Sequence, residues 1–373
     1  MKLSGGIMKN NNYAMLLAIE LAGKGSGFVH PNPLVGCVIL KYGKIIGKGF
    51  HEKYGNAHAE INALNDAWKK HGKKSTENAY MFVTLEPCCH YGKTGPCAKE
   101  IIKAGIKKVY IAMLDVNPIV AGKGIKELKK AGIKVNVGLC RKEAEELNKE
   151  YTKWMKTKRP YVLQKIAITR NGKITWGNGN RKRITCEESN KKVRELRNQY
   201  DALLVGINTV LKDDPQLNCR SKEGRDPIKI ILDPDLKTPK NARLFKSTAK
   251  TILFCAKKAG KNKEKEILKK RPESVSNKDI EIIKVDQKND FLNLKEVLKE
   301  IGMKEITSVL VEGGQKINSS FLKEKLSDGI LFFVSPKKVK NGLDFIDGTV
   351  KTKLKILDIK KSGKDLLLRT KQI

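Results

Sequence analysis

The chain has 373 residues and a formal net charge of +36, from 76 basic and 40 acidic side chains. This length predicts two domains of about 100 to 200 residues each. Basic surfaces bind nucleic acid by releasing counterions, but here the lysines are spread over nearly every amphipathic segment with little aromatic interleaving. We therefore expect no specific nucleic-acid partner, although small phosphorylated molecules would be attracted.

The composition also bears on the compartment. No apolar run approaches the roughly 20 residues needed to span a bilayer, so we expect no membrane association. The eight cysteines lack the dense, paired spacing of a secreted disulfide framework. These features favour a cytoplasmic protein.

The first half alternates helical patterns with short β-rich runs. An amphipathic helix is predicted over Tyr13–Ala22. Strands are predicted over Leu34–Lys41, Met81–Leu85, Lys108–Met113 and Lys134–Val137. Because helical patterns fill the gaps, this order predicts an α/β domain whose sheet is covered by helices on both faces.

The strongest chemical signal is a set of zinc-binding residue types in the first half. His58-Ala59-Glu60 is followed by Glu86-Pro87-Cys88 and then by Cys97. One imidazole and two thiolates leave the fourth position of tetrahedral zinc open for water, as in catalytic sites. Glu60 is then available as general acid and base, since zinc lowers the pKa of its water to roughly 7. This pattern is typical of zinc nucleobase deaminases.

Two questions about this set stay open from the residues alone. Cys89 and His90 also carry zinc-binding groups, so a structural zinc clip in a protein without enzyme activity is an alternative. Side chains of neighbouring residues diverge in an extended or turning backbone, so only one of Cys88 and Cys89 is expected to face the metal.

A domain boundary is predicted near Pro160, which cannot continue the charged helix predicted over Arg141–Lys156. Strands of the second domain are predicted over Tyr161–Ile168, Ala202–Gly206, Ile228–Asp233, Thr251–Cys255, Ser308–Glu312 and Ile330–Ser335. The lysine-rich stretch Lys257–Asp279 is predicted to be an exposed excursion.

The second half has no G-x-G-x-x-G fingerprint, so a Rossmann fold is unsupported. The segment from Val311 to Gln315 instead joins a buried strand to a helix predicted over Ile317–Lys323, and free amides at a helix N-terminus can bind phosphate. The two glycines of this turn are equally compatible with a purely conformational role. Glu312 carries more weight, because a carboxylate that ends an apolar strand is costly to bury.

Six segments taken together resemble a known family. They are His30–Gly36, His58–Glu60, Thr84–Cys97, Tyr161–Gly172, Gly206–Pro215 and Val311–Gly314. In this order they resemble, nearly end to end, the bifunctional riboflavin-biosynthesis family that joins a pyrimidine deaminase to a pyrimidine reductase. The resemblance implies a cytidine-deaminase-like three-layer domain at residues 1–157 and a dihydrofolate-reductase-like α/β domain at residues 158–373. It also implies Zn²⁺ and NADPH as cofactors and a homo-oligomer.

The resemblance assigns roles in the first domain by matching positions. It favours Cys88 over Cys89 as the zinc ligand that accompanies His58 and Cys97, with Glu60 as the catalytic residue. It further implies that the pyrimidine pocket and the substrate-holding loop use three residues, which are Asn32, His90 and Lys93.

In the second domain the resemblance implies two sets of contacts. The dinucleotide contacts are Ala167, Thr209, Asp213, Gly314, Gln315, Lys316, Ile317, Asn318, Ser319 and Ser320. The substrate contacts are Lys165, Arg197, Leu217, Arg220 and Glu312. Each has a structural alternative: Asp213 opens an Asp-Asp-Pro sequence that suits a helix-ending turn, and arginines of so basic a chain are commonly surface charges.

One stretch departs from the family pattern. Arg181 and Arg183 stand where relatives often carry Ser and Trp, which puts the local substrate and nicotinamide contacts in question. An arginine there is suited to bind a phosphate.

The implied activity has two steps. The first is zinc-dependent hydrolytic deamination of 2,5-diamino-6-(5-phosphoribosylamino)pyrimidin-4-one, and the second is NADPH-dependent reduction of the ribosyl group to ribityl. The chain is therefore expected to be both a hydrolase and an oxidoreductase. The alternative is a nucleic-acid or nucleoside deaminase whose second domain is not a reductase.

Overall fold

The computed structural model describes residues 3–91, 95–177, 183–220, 224–247, 249–269, 279–288 and 291–373. The chain divides into two compact units, residues 1–157 and 158–373. The division falls just before Pro160, where a helix ends and a buried strand begins.

The first unit alternates helices and strands from its N-terminus onward. Its elements are α1 (Leu3–Gly23), β1 (Gly36–Lys41), β2 (Lys44–Phe50), α2 (Ala59–His71), β3 (Tyr80–Leu85), α3 (Cys97–Lys103), β4 (Lys108–Met113), α4 (Lys123–Lys130), β5 (Lys134–Val137), α5 (Arg141–Leu147) and α6 (Lys149–Thr157). The strands form one sheet in the order β2-β1-β3-β4-β5, in which β1 is antiparallel to both neighbours and β3, β4 and β5 are parallel.

This sheet lies between two helical layers, as predicted. Side chains alternate along β1, so Cys37 and Ile39 pack with α2, α3 and α4 on one face. Val38 and Leu40 pack with α1 and α5 on the other face. Both faces are apolar, and the unit is the expected three-layer α/β/α domain.

Two features of the first unit differ from the sequence prediction. Strand β2 was missed because its Gly47 and Gly49 weaken the strand signal. Both glycines are required by packing: a Cβ on Gly49 would lie 2.4 Å from the backbone nitrogen of Ala63, so α2 crosses β2 at backbone contact distance. The predicted single helix over Arg141–Lys156 is instead two helices.

The break between α5 and α6 falls at Asn148, whose side chain is 1% exposed. Its Oδ1 accepts a hydrogen bond from the backbone N–H of Leu34 at 2.8 Å, and its Nδ2 donates to the carbonyl of Leu34 at 2.9 Å. These two bonds satisfy the backbone N–H and carbonyl groups of Leu34, two residues before β1. The helical charge pattern over Arg141–Lys156 does not indicate such a contact.

The second unit contains the remaining elements. They are β6 (Tyr161–Thr169), α7 (Glu187–Gln199), β7 (Ala202–Gly206), α8 (Ile207–Asp213), β8 (Ile228–Leu232), β9 (Thr251–Ala256), α9 (Lys261–Lys269), β10 (Ile280–Val285), β11 (Gln287–Lys288), β12 (Phe291–Leu292), α10 (Leu294–Met303), β13 (Ser308–Val311), α11 (Gln315–Lys323), β14 (Gly329–Ser335), β15 (Leu354–Ser362) and β16 (Asp365–Gln372).

Nine of these strands form one sheet in the order β10-β9-β8-β7-β13-β6-β14-β16-β15. The strands from β10 to β14 are parallel, and β16 and β15 extend the sheet as an antiparallel hairpin that the sequence analysis missed. Apolar clusters cover both faces of the parallel part, with α10 and α11 on one side and α7, α8 and α9 on the other.

The predicted lysine-rich excursion contains helix α9 over Lys261–Lys269, and most of its described residues are exposed. Residues 270–278 of that stretch lie outside the described residues. In the ranges that the structure describes, no helix is both long and apolar enough to cross a membrane.

Candidate functional site

The first unit brings three of the predicted zinc-binding side chains together. His58 lies at the extended position immediately before α2, and Cys97 is the first residue of α3. Cys88 follows the carboxyl end of β3 by three residues. The three ligand atoms lie within 4.8 Å of one another, and Cys89 is outside the group.

The spacing of these atoms fits a zinc ion. His58 Nδ1 is 3.3 Å from Cys97 Sγ and 3.6 Å from Cys88 Sγ. Zinc held tetrahedrally at ordinary Zn–N and Zn–S lengths would separate its nitrogen and sulfur ligands by about 3.6 Å. Three protein ligands of this kind leave one tetrahedral position for water or substrate, so the donor set suits catalytic zinc.

The two thiols lie within hydrogen-bond distance and shift each other's pKa in opposite directions. Their mutual hydrogen bond lowers the pKa of Cys88 and raises that of Cys97. The backbone N–H of Cys97 also donates to Cys88 Sγ at 3.3 Å, which stabilises a thiolate at Cys88. A divalent cation would favour deprotonation of both thiols and balance the negative charge of the two thiolates.

Glu60 lies beside the ligands without belonging to them. It is the second residue of α2 and its side chain is 3% exposed. Burial raises the pKa of its carboxyl to about 7, against the opposing charge of His58. A carboxyl with this pKa can both accept and release a proton near neutrality.

A second histidine, His51, follows β2 and was missed in the sequence analysis. Its Nε2 lies 3.1 Å from Nδ2 of Asn32, the predicted pyrimidine contact, and its Nδ1 lies 3.2 Å from the carbonyl oxygen of Ala57. Its ring packs edge-on against that of His58, with centroids 5.4 Å apart. Burial lowers the pKa of His51, which favours the neutral ring.

The loop that carries Cys88 is anchored by Glu86, whose side chain is 3% exposed. Its carboxylate accepts hydrogen bonds from the backbone N–H groups of Gly122 at 3.0 Å and Ile125 at 3.3 Å, at the start of α4. Gly124 permits this approach, because a Cβ there would lie 2.0 Å from the carbonyl oxygen of Pro87. The negative carboxylate at a helix N-terminus is favourable and fixes the ligand loop.

Of the two residues implied to hold the substrate, His90 is partly buried in the loop after Cys89. Among the described residues its Nδ1 is buried without a hydrogen-bond partner. Lys93 lies outside the described residues.

The second unit assembles an ion-pair network from three widely separated elements. Glu312 follows β13, Lys165 lies on β6 and Arg197 lies on α7. Val311 is paired in register with Gln164, which places Glu312, at the carboxyl end of β13, beside Lys165 in the middle of the parallel strand β6. Ligand sites of open α/β sheets commonly lie at the carboxyl edge of the strands.

The network is tight and largely buried. Arg197 makes two parallel bonds to the Glu312 carboxylate, Nε to Oε1 at 2.7 Å and Nη2 to Oε2 at 2.9 Å. Lys165 Nζ lies 3.1 Å from the same Oε2. Burial by itself would raise the pKa of Glu312, but the charges of Lys165 and Arg197 outweigh it and lower the pKa to about 2.

The remaining predicted substrate contacts lie on the segment after α8. Leu217 is buried in the core, and Arg197 Nη1 donates to the carbonyl of Asn218 at 3.1 Å, which ties this segment to the ion-pair network. Arg220 is exposed. Its pKa is lowered by partial burial and then by four neighbouring cations, which are Arg197, Arg183, Arg194 and Arg243. Arg181 lies outside the described residues.

The predicted dinucleotide contacts occupy the same edge of the sheet. Ala167 lies on β6, and Thr209 lies on α8 immediately after β7. A Cβ at Gly206 would lie 3.1 Å from Ile317 Cγ1, so the end of β7 lies directly against the start of α11. Asp213 is exposed at the end of α8, and within the described part of the chain it makes no ion pair or hydrogen bond to α11.

At the start of helix α11 some predicted contact residues are open to a ligand and others are held by hydrogen bonds. Gly314, just before the helix, has open space where a Cβ would be added, and Lys316 is exposed. Three other side chains bond to the segment at residues 345–347. Gln315 Nε2 donates to the Ile346 carbonyl, Asn318 Nδ2 donates to the Phe345 carbonyl, and Ser319 Oγ accepts from the Asp347 N–H. Ser320 donates to the Lys316 carbonyl within the helix.

Comparison with known proteins identifies both units. The family described as RibD C-terminal domain matches residues 160–368, and the family described as cytidine and deoxycytidylate deaminase zinc-binding region matches residues 8–113. The riboflavin biosynthesis protein RibD of Aquifex aeolicus is 40% identical over 365 residues, which cover 96% of this chain and 97% of that protein. The corresponding protein of Escherichia coli is 33% identical, with coverage of 96% and 98%.

Solved structures agree with these matches. A diaminohydroxyphosphoribosylaminopyrimidine deaminase/5-amino-6-(5-phosphoribosylamino)uracil reductase from Thermotoga maritima superposes with a TM-score of 0.86 at 38% identity, covering 98% of this chain and 99% of that one. RibD from Acinetobacter baumannii superposes with a TM-score of 0.83 at 34% identity and the same coverage. The chain therefore belongs to the RibD family of riboflavin-biosynthesis enzymes, with a zinc-dependent deaminase domain followed by an NADPH-dependent, dihydrofolate-reductase-like domain.

Proposed function

We propose that the first unit hydrolyses 2,5-diamino-6-(5-phosphoribosylamino)pyrimidin-4-one with release of ammonia, and that the second unit reduces the ribosyl group of the product to ribityl with NADPH. The observation that carries this proposal is the convergence of His58, Cys88 and Cys97 at zinc-ligand distances beside the buried Glu60, in a chain of the RibD family. The Thermotoga maritima relative is described by these two activities.

In the deamination, His58, Cys88 and Cys97 would hold zinc, which would lower the pKa of a bound water molecule and polarise the reacting centre. Glu60 takes the two protons of the attacking water in turn and delivers one to the ring nitrogen and the other to the leaving amino group, so that N=C–NH₂ becomes HN–C=O and ammonia departs. A pKa near 7 suits both transfers. Asn32 binds the pyrimidine, and the substrate loop contributes His90 and Lys93.

In the reduction, bound NADPH would supply a hydride to C1 of the ring-opened ribosylamino group, and a proton from solvent would complete the ribitylamino product. Lys165 and Arg197 bind substrate polar groups and are held in place by Glu312, while Leu217 provides an apolar wall. Arg220, with Arg183 among its cationic neighbours, binds the substrate phosphate.

The dinucleotide lies against Ala167, Thr209, Asp213 and the start of α11. Gly314 leaves open space at the N-terminus of that helix, where backbone N–H groups face an anionic ligand. Because the side chains of Gln315, Asn318 and Ser319 bond to the segment at residues 345–347, we propose that these positions contribute mainly through their backbone.

We also propose a cytoplasmic location and a homo-oligomer. The eight cysteines all lie within the described residues and none of them forms a disulfide there, and two of them are proposed zinc thiolates, which a reducing compartment preserves. The oligomer remains a prediction from the family resemblance.

The proposal is tested by following ammonia release and NADPH oxidation separately while the purified, zinc-loaded protein turns over the diaminopyrimidine phosphoribosyl substrate. Both signals are expected, with NADPH oxidation dependent on prior release of ammonia. No ammonia from zinc-replete protein would overturn the deaminase assignment. Ammonia without NADPH oxidation, even when the deaminated product is supplied directly, would overturn the reductase assignment.

A further inference from the structure

We propose that His51 is a positioning residue that fixes the orientation of the Asn32 amide, so that Asn32 presents its Oδ1 as a hydrogen-bond acceptor to the pyrimidine. This inference rests on the proposed deamination. It adds a specificity-determining residue that lies outside the zinc ligands, Glu60 and the contacts implied by the family resemblance.

The first step is the tautomer of His51. Its Nδ1 lies 3.2 Å from the carbonyl oxygen of Ala57, and a carbonyl oxygen only accepts hydrogen bonds. Asn62 Nδ2 also approaches that oxygen, at 3.4 Å, so the carbonyl acts as an acceptor from two sides. The proton of a neutral His51 ring is therefore on Nδ1, and Nε2 carries a lone pair.

The second step is the orientation of Asn32. A lone pair on His51 Nε2 requires a donor, and of the two amide atoms of Asn32 only the NH₂ group donates. The 3.1 Å contact between His51 Nε2 and Asn32 Nδ2 has this arrangement. A flipped amide would set Asn32 Oδ1 against the lone pair, so the carbonyl of Ala57 determines, through His51, which amide atom of Asn32 faces away from the histidine.

The third step concerns specificity. With Nδ2 engaged by His51, Oδ1 is the amide atom left to face a ligand, and it selects a donor such as a ring N–H or an exocyclic amino group. A substrate that offers an acceptor at this point would place two acceptors together, and unpaired buried polar groups discriminate strongly. A diaminopyrimidinone supplies such donors.

His51 itself is suited to act through Asn32. Its side chain is only 2% exposed, so nearly all of its surface is covered by the protein. Asn32 is partly exposed and contacts this buried histidine, so it is the member of the pair that a ligand can reach. His51 therefore orients a contact residue, and we do not assign it to the reacting atoms.

The test is a double-mutant cycle on deamination with H51L, N32A and the double variant N32A/H51L, all zinc-loaded. H51L is expected to lower kcat/KM for ammonia release by about 10- to 100-fold, mainly through KM, because the Asn32 amide loses the partner that orients it. In the N32A background the same change is expected to cost less than about threefold, since coupled residues are non-additive. H51Q, whose Oε1 can accept from Asn32, is expected to restore activity to within about threefold of the wild type.

Three controls separate this role from a general structural one. Zinc content should be unchanged in every variant, which shows that the first unit is folded, and NADPH oxidation of the deaminated product should be unchanged, which shows that the second unit is intact. H71L removes an exposed histidine at the end of α2 and should leave deamination unchanged. The proposal would be overturned if H51L lowered kcat/KM as much in the N32A background as in the wild type. Wild-type kinetics of H51L, or loss of zinc from H51L, would overturn it as well.

A spectroscopic measurement tests the tautomer independently of turnover. The chain has five histidines, so ¹⁵N spectra of the zinc-loaded protein can be assigned by comparison with H51Q. We expect a neutral His51 ring protonated on Nδ1. A ring protonated on Nε2 would overturn the proposal even if the wild-type enzyme releases ammonia, and an Nδ1-protonated ring in an enzyme that releases no ammonia would leave the positioning intact while the proposed function fails.

Discussion

The two candidate sites differ in how the chain assembles them and how their charge is balanced. In the first unit the proposed zinc ligands come from a compact part of the sequence, at two helix starts and after one strand end. In the second unit Lys165, Arg197 and Glu312 come from distant elements and neutralise part of one another's charge. The first group is a donor set that a cation would complete, whereas the second already pairs its charges within the chain.

The comparison predicts its largest effect at Glu60. E60Q keeps the shape of the side chain but removes proton transfer, so ammonia release should fall by about 10²- to 10⁴-fold. Zinc content by metal analysis and NADPH oxidation of the deaminated product should be unchanged. The exposed Glu52 supplies a matched control, since E52Q should retain both activities. Wild-type ammonia release by E60Q would remove Glu60 from the mechanism.

The converse effect is expected at Glu312. E312Q leaves Lys165 and Arg197 without their shared carboxylate, and NADPH oxidation should fall by about 100-fold, in line with the loss of a charged hydrogen-bond partner. Ammonia release should be unaffected because it belongs to the other unit. E324Q, at an exposed position after α11, is the control. Equal loss of both activities in E312Q would contradict the separation of the sites.

A smaller effect is expected at Glu86, which anchors the ligand loop without touching the metal ligands' donor atoms. E86Q replaces an ionised acceptor at the N-terminus of α4 by a neutral amide, so zinc affinity should fall by about 10- to 100-fold. Competition with a chelator measures this affinity, and activity per bound zinc should stay near that of the wild type. E143Q, at an exposed position on α5, provides the reference. Unchanged affinity in E86Q would show that the loop holds Cys88 without the carboxylate.

The sequence allowed much of the fold to be predicted because its strands are short, apolar and bounded by turns. Strands β4, β5 and β7 begin and end at the predicted residues. Strand β2 was missed because α2 crosses it closely enough to require glycine, which reads as a turn. The break at Asn148 depends on a hydrogen-bond pair with a segment more than one hundred residues earlier, which no local pattern shows.

The sites divide in a similar way. The zinc set was predicted because metal chemistry restricts residue types and spacing, and the structure groups Cys88, without Cys89, with His58 and Cys97. No sequence motif pointed to His51, because its proposed role depends on one contact to Asn32 and one to the backbone carbonyl of Ala57, which form only in the folded chain. The pairing of Lys165 with Glu312 depends on the register of β13 against β6, and the pairing of Arg197 with Glu312 depends on how α7 packs on the sheet. The sequence indicated these residues without the ion pairs.

The central claim, two separable active sites of which only the first requires zinc, is tested most directly by removing the metal. The protein is stripped with a chelator, and ammonia release from the diaminopyrimidine substrate is measured beside NADPH oxidation of the deaminated product. We predict that ammonia release is lost and returns with stoichiometric zinc, while NADPH oxidation is unchanged throughout. Ammonia release that persists without zinc, or NADPH oxidation that falls and recovers together with it, would contradict this account.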